Sequence, residues 1–184
     1  MDYWRRYKPF LFFLGKFFST YFILSVVYQF YLSGYDTMKF ETDPITGSIA
    51  WQARDLLLFF NADASAEPHP TQACIKLFYQ GKYVARIIEG CNAISIMILF
   101  IAFVVAFAGK WKTTIIFLIV GCVIIHVLNI IRIALLSAAI FHFPTQEHFL
   151  HGVVFPLFIY SVVFVLWIVW VNKYSFYAGK TAQA

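Results

Sequence analysis

Four apolar stretches in this chain are long enough to cross the ~30 Å hydrocarbon core of a bilayer, and that limits the fold more than any other feature. They run from about Pro9 to Leu32, from Cys91 to Gly109, from Thr113 to about Phe143 and from about His148 to Val171. Backbone inside hydrocarbon must satisfy its own hydrogen bonds, so such runs fold as helices. Composition agrees: 61% of the 184 residues are hydrophobic and 12% are charged, and mean hydropathy is +0.75. A water-soluble domain would expose far more charge. The expected fold class is an all-α polytopic membrane protein of about four transmembrane helices, forming one domain over residues 1–184. The first run is too long and aromatic for a signal peptide and no small-residue cleavage site follows it, so it is expected to remain as a helix.

Charge sets the direction of the spans. Arg5, Arg6 and Lys8 precede the first, Lys110 and Lys112 fill the turn after the second, and Lys173 and Lys180 follow the fourth. An even number of spans puts all three groups, and both termini, on the cytoplasmic side. The net charge of +5 is therefore explained by orientation and does not argue for nucleic acid. Residues 33–90 then face outward, with seven acids against five Lys plus Arg. Within that segment Trp51, Leu56, Leu57, Leu58 and Phe59, mixed with Gln52, Arg54 and Asp55, predict an amphipathic helix over Ser48–Phe60, lying on the membrane. Asn61–Pro70 reads as turn. Ile75–Tyr79 and Tyr83–Ile88, flanking Gln80-Gly81-Lys82, predict a β-hairpin that delivers the chain to Cys91.

Residues 83–173 hold the reactive side chains. Cys91 is 18 residues from Gly109, Arg132 is 19 from Thr113 and His151 is 21 from Asn172. At ~1.5 Å per residue all three lie ~27–32 Å from the inner boundary. His148 is ~5 Å further out on the same helix face, and either histidine can serve. A free cysteine is ordinarily a small buried hydrophobe, which suits Cys122. Cys91 differs by opening a helix after Glu89-Gly90, where unpaired N–H groups and the helix dipole favour a thiolate. Cys74 is inert or pairs with Cys91 on oxidation. An outer-interface arginine can simply snorkel to phosphate, but nine apolar or small residues separate Arg132 from His142, so its charge calls for a partner. Asn129, one turn earlier, can orient Arg132 or contact a substrate backbone. Glu89 and Asn92 flank the thiol as further substrate contacts. His126 and His142 read as structural.

A thiolate, an imidazole and a fixed cation together suit acyl transfer. The cysteine attacks a carbonyl, the histidine holds and returns a proton, and the arginine stabilises the oxyanion. No metal-ligand spacing is present, and no metal or other cofactor is expected. Glu89-Gly90-Cys91-Asn92 before one span, Asn129-Ile130-Ile131-Arg132 near the outer end of the next and the histidine-bearing start of the last resemble the exosortase/archaeosortase family. The short length and His151-Gly152-Val153-Val154-Phe155-Pro156 are similar to the compact exosortase F subgroup of bacteria. The resemblance covers residues 83–173. It implies a cysteine transpeptidase of the bacterial inner membrane, acting at the outer face on proteins with a C-terminal sorting signal of short motif, one transmembrane helix and basic cluster. It also implies Cys91 as nucleophile, Arg132 as oxyanion stabiliser and His151 as acid/base. Other members often read His-Asp or have Gly four residues after the histidine, a spacing that fits His148 to Gly152, whereas Gly152 directly follows His151. The acyl acceptor is unspecified.

Three other readings compete. A haem or quinone subunit would use His126, His142 or His151 as ligands, but their depths do not match. A non-enzymatic assembly partner of an envelope or export complex would need no thiol. A thiol–disulfide oxidoreductase lacks a vicinal cysteine pair.

Overall fold

The computed structural model describes residues 2–36 and 39–176; Lys180, one of the flanking basic residues, lies outside them. The chain is mostly helical: α1 (Asp2–Leu32), α2 (Pro44–Phe59), α3 (Ile94–Ala106), α4 (Trp111–His142), the single turn α5 (Glu147–Phe149) and α6 (Phe155–Val169). Strands β1 (Ala64–Pro68), β2 (Ile75–Tyr79) and β3 (Lys82–Ile87) lie between α2 and α3. Among the described residues, three segments are long and apolar enough to cross a membrane: Tyr7–Leu32, Trp111–His142 and Leu150–Tyr174. Most of their apolar side chains are exposed, with Phe22 on α1 68% exposed and Phe30 81% exposed. In water such continuous apolar surface would drive association, and in lipid it faces a matching solvent. The chain is an all-α polytopic membrane protein with a small sheet.

The second expected span is shorter than the sequence suggests. Its α-helix has 13 residues, about 20 Å against the ~30 Å of hydrocarbon. It starts at Ile94 because Glu89–Cys91 form a 3₁₀ turn and Ala93 sits at φ 61°, a left-handed value that cannot continue a right-handed helix. Hydropathy cannot register such a kink.

Two compact units divide the chain. The first comprises residues 2–29, 94–124 and 162–176 of those described, and it is packed by rings. Phe13 lies 4.5 Å from Phe107 between centroids, Phe103 stacks on Trp167 at 4.2 Å, and Phe117 lies 4.9 Å from Trp170. The Trp170 indole N–H donates to the Phe107 carbonyl at 2.9 Å. Gly121 is required there, since a Cβ would run into the Phe100 ring.

The second unit comprises residues 30–93 and 125–161. Pro44 and Asp43 start α2, the Asp43 carboxylate accepting from the Thr46 N–H at 3.0 Å. Thr46, Ile49, Ala50, Ala53 and Leu57 recur at helical spacing and form the buried face. They pack on Ala66, Ile75, Leu77 and Ile87 of the sheet, together with Ile133 and Ala134 of α4. Of the apolar residues of the expected amphipathic helix, Leu57 joins this buried face, while Trp51, Leu58 and Phe59 are exposed, Phe59 by 78%.

The sheet is antiparallel in the order β1-β2-β3. The β2–β3 hairpin forms as expected. Tyr79 pairs with Lys82, and Gln80 (φ 52°) and Gly81 (φ 71°) give the two positive φ values of a tight hairpin loop. β1, by contrast, falls within a stretch read as turn. Its Ala-Ser-Ala-Glu-Pro sequence has little strand preference of its own and is held by pairing, Ala64 with Tyr79 through Pro68 with Ile75. Pro68 closes an edge strand, where its missing N–H costs no ladder bond.

Candidate active site

Cys91, Arg132 and His151 line one cavity of about 220 Å³ in the second unit, with Val84–Ile88, Ile133, Leu136 and Ile140 completing the wall. The volume is below the ~300–1,000 Å³ of a cofactor-sized pocket. It suits a reacting peptide unit better than a whole substrate.

Each member comes from a different element. Cys91 ends the 3₁₀ turn and is 8% exposed. Its own N–H donates to the Ile88 carbonyl at 2.8 Å. The expected helix opening at Cys91, with free N–H groups to favour a thiolate, does not form: the helix begins three residues later and the Cys91 N–H is occupied. Two buried asparagines hold this turn. Asn129, on α4 and fully buried, donates its amide to the Cys91 carbonyl at 2.8 Å. Asn92 donates to the Thr46 hydroxyl at 3.1 Å, joining the turn to the first turn of α2. The Asn129 side-chain oxygen is buried without a partner. Asn129 thus engages the cysteine backbone rather than Arg132.

Arg132 is half-buried on α4 and its Nε is buried without a hydrogen-bond partner. Cys91 and Tyr160 are near enough to interact with its charge, and no salt bridge reaches it among the described residues. A desolvated cation with an idle donor is poised for an anion that develops beside it.

His151 lies in the π-helical turn Leu150–Val154 and is exposed. Pro156, second residue of α6, lacks the N–H that would close the preceding α-turn, and a π-turn there is the local accommodation. His148 is also exposed, on α5, and is outside the cavity lining.

Glu89 is exposed and lines a separate cavity with Glu41 and Asp43. His126 bonds Gln52 at 2.9 Å, tying α4 to α2, and His142 packs beside Phe141 and Tyr79. Cys74 and Cys91 are free thiols, and burial pushes the Cys74 thiol up from its ordinary value. Among the described residues no three His, Cys, Asp or Glu side chains are grouped to hold a metal. The sequence reading missed Thr46, Tyr160 and Arg86. Tyr160, a polar group in the last apolar run, was detectable. Thr46 was not, because it meets Asn92 only through the packing of α2.

A transmembrane exosortase family model matches residues 10–172. No individual curated protein and no solved structure matches the chain. The match extends over nearly all of the chain, including every segment that contributes to the Cys91 cavity, and on that basis this protein belongs to the transmembrane exosortase family.

Proposed function

We propose that this protein is a membrane cysteine transpeptidase or peptidase that processes C-terminal sorting signals, with Cys91 as nucleophile, Arg132 as oxyanion stabiliser and His151 as acid/base. The observation that carries the reading is the shared cavity: a thiol, a half-buried guanidinium whose Nε has no hydrogen-bond partner and an imidazole line one small space.

The chemistry balances with those three groups. His151 takes the Cys91 thiol proton, and the sulfur attacks the scissile carbonyl carbon. The negative charge on the carbonyl oxygen is met by Arg132. Collapse of the tetrahedral intermediate breaks the C–N bond, and His151 returns the proton to the leaving amine. The C-terminal fragment departs and the remainder stays on Cys91 as a thioester. An amine, a hydroxyl or water then resolves it. Asn129 and Asn92 act as positioning residues, since both hold the turn that presents the sulfur. Glu89 is a substrate contact at the entrance to the turn.

The basic flanks at Lys8, Lys110, Lys112 and Lys173 support an arrangement with both termini cytoplasmic and the Cys91 site at the outer face of a bacterial inner membrane. A sorting signal whose helix spans the same bilayer brings its scissile bond to that level.

The test is Cys91→Ala beside wild type, with mass analysis of envelope proteins that end in a membrane span. A precursor retaining its C-terminal helix accumulates in the variant alone. Unchanged envelope proteins, with the variant made and inserted normally, would remove the thiol from the mechanism and leave the assembly-partner reading.

A further inference from the structure

The faces of α1 differ in chemistry. One face is packed, with Phe13 against Phe103 and Phe107. Another carries Lys8, Phe12, Gly15, Lys16, Ser19 and Ile23, the spacing of one side of a helix. This second face borders a groove of about 610 Å³, within the size range of small-ligand sites. Hydrocarbon is a poor solvent for such a face, because ammonium and hydroxyl groups there call for partners.

The protein itself supplies none. Neither Lys8 nor Lys16 is ion-paired among the described residues. Nor do the hydroxyls of Ser19 and Thr20 make a hydrogen bond among them. Helical hydroxyls in the other spans return to a carbonyl four residues back, Ser137 to Ile133 and Ser161 to Leu157. Gly15 leaves the middle of the groove open, since a Cβ there would meet nothing within 4 Å.

The polar groups are also ordered along the axis. The Lys16 ammonium lies over the Phe12 ring, 5.8 Å from its centroid. Phe12 is one turn nearer the N-terminus, so Lys16 runs back along the groove towards Lys8, which is about 6 Å further on. Two positive charges therefore serve one end. Ser19 and Thr20 lie about 10 Å from Phe12 in the opposite direction, and Ile23 follows them. Cation, hydroxyl and apolar surface succeed one another as phosphate, ester and acyl chain do in a phospholipid. Charge also decides against other occupants. The groove has two cations and no carboxylate, so a second copy aligned in parallel, or any helix with a basic flank, would bring like charges together. Positive flanks orient a span, and a lysine within it can snorkel to the headgroups. Those roles need neither an open Gly15 nor hydroxyls left without partners.

We propose that this groove of α1 binds one anionic phospholipid of the cytoplasmic leaflet. Its phosphate sits between Lys8 and Lys16, its ester carbonyls accept from Ser19 and Thr20, and an acyl chain runs over Gly15 towards Ile23. The leaflet follows from the orientation proposed above. Occupancy of the groove requires nothing of the chemistry at Cys91.

The full-length protein in a neutral detergent is titrated with phosphatidylglycerol and with phosphatidylcholine, and bound lipid is counted by native mass spectrometry. One phosphatidylglycerol is expected to bind at least tenfold more tightly than phosphatidylcholine. Lys8→Gln with Lys16→Gln should weaken its binding at least tenfold. Gly15→Leu keeps both charges and favours the helix, yet fills the groove, and should weaken binding as much. Glycerol phosphate, the headgroup without its chains, should not compete. Equal affinity for the two lipids, or phosphatidylglycerol binding unchanged in either variant, would overturn the proposal, because lipid would then only surround α1. Displacement by glycerol phosphate would overturn it in favour of a free phosphate. A dimer that grows with protein concentration and is lost in Gly15→Leu would overturn it in favour of a second copy.

Discussion

The two units are held together by different means. The first (residues 2–29, 94–124 and 162–176) is locked by rings against rings and by glycines that admit them. The second (residues 30–93 and 125–161) buries Asp43, Thr46, Asn92, Asn129 and Ser137, five of the six polar residues buried among those described. Burying a polar group is unfavourable unless it is hydrogen-bonded. Asp43, Thr46, Asn92 and Asn129 have partners, and their bonds converge on the turn that carries Cys91. Ring packing tolerates small displacements, whereas a hydrogen bond fixes distance and direction. The contrast is between a unit that needs only to be packed and one that must place a sulfur atom.

Substitutions in each unit should therefore fail differently. The largest loss of stability is expected for Gly121→Val, whose side chain would collide with Phe100. Overpacking of this kind costs about 1–3 kcal/mol. The thermal unfolding midpoint in detergent should fall, while Cys91 chemistry in the surviving folded fraction stays normal. A folded variant with lost activity would show that the two units are not separable in this way.

Asn129→Leu should act on function more than on stability. It removes the donor from the Cys91 carbonyl and also the buried, unpartnered Asn129 oxygen, so two effects partly offset. A net change of about 1 kcal/mol in stability is expected, with at least a tenfold fall in processing at unchanged substrate binding. Wild-type turnover by Asn129→Leu would mean that the turn holds its geometry without this bond.

The smallest effect is the Asn92–Thr46 coupling. A double-mutant cycle of Asn92→Ala and Thr46→Val should give an interaction energy of about 1 kcal/mol. A value near zero would mean that the two side chains contribute to the turn independently.

Much of this organisation was legible in the sequence, for reasons visible in particular residues. Long apolar runs mark α1, α4 and the last span because lipid leaves backbone no alternative to the helix. Gln80-Gly81 marks the hairpin because its loop needs positive φ. Counting at 1.5 Å per residue placed Cys91, Arg132 and His151 at a common depth, and all three line one cavity. What stayed hidden depends on contacts between distant segments. β1 is a strand only because β2 pairs with it. α3 starts late because Asn92 is drawn to Thr46 and Ala93 turns left-handed. The role of Asn129 depends on which carbonyl lies within its reach, and spacing along α4 pointed instead to Arg132 or a substrate backbone.

Whether Cys91 is the nucleophile is tested most directly by quenching the wild-type protein in acid during turnover of its precursor and weighing the peptide that contains Cys91. The expected result is a Cys91 peptide bearing the N-terminal part of the substrate as a thioester, released by hydroxylamine. A Cys91 peptide that remains a free thiol while precursor is being processed would contradict it.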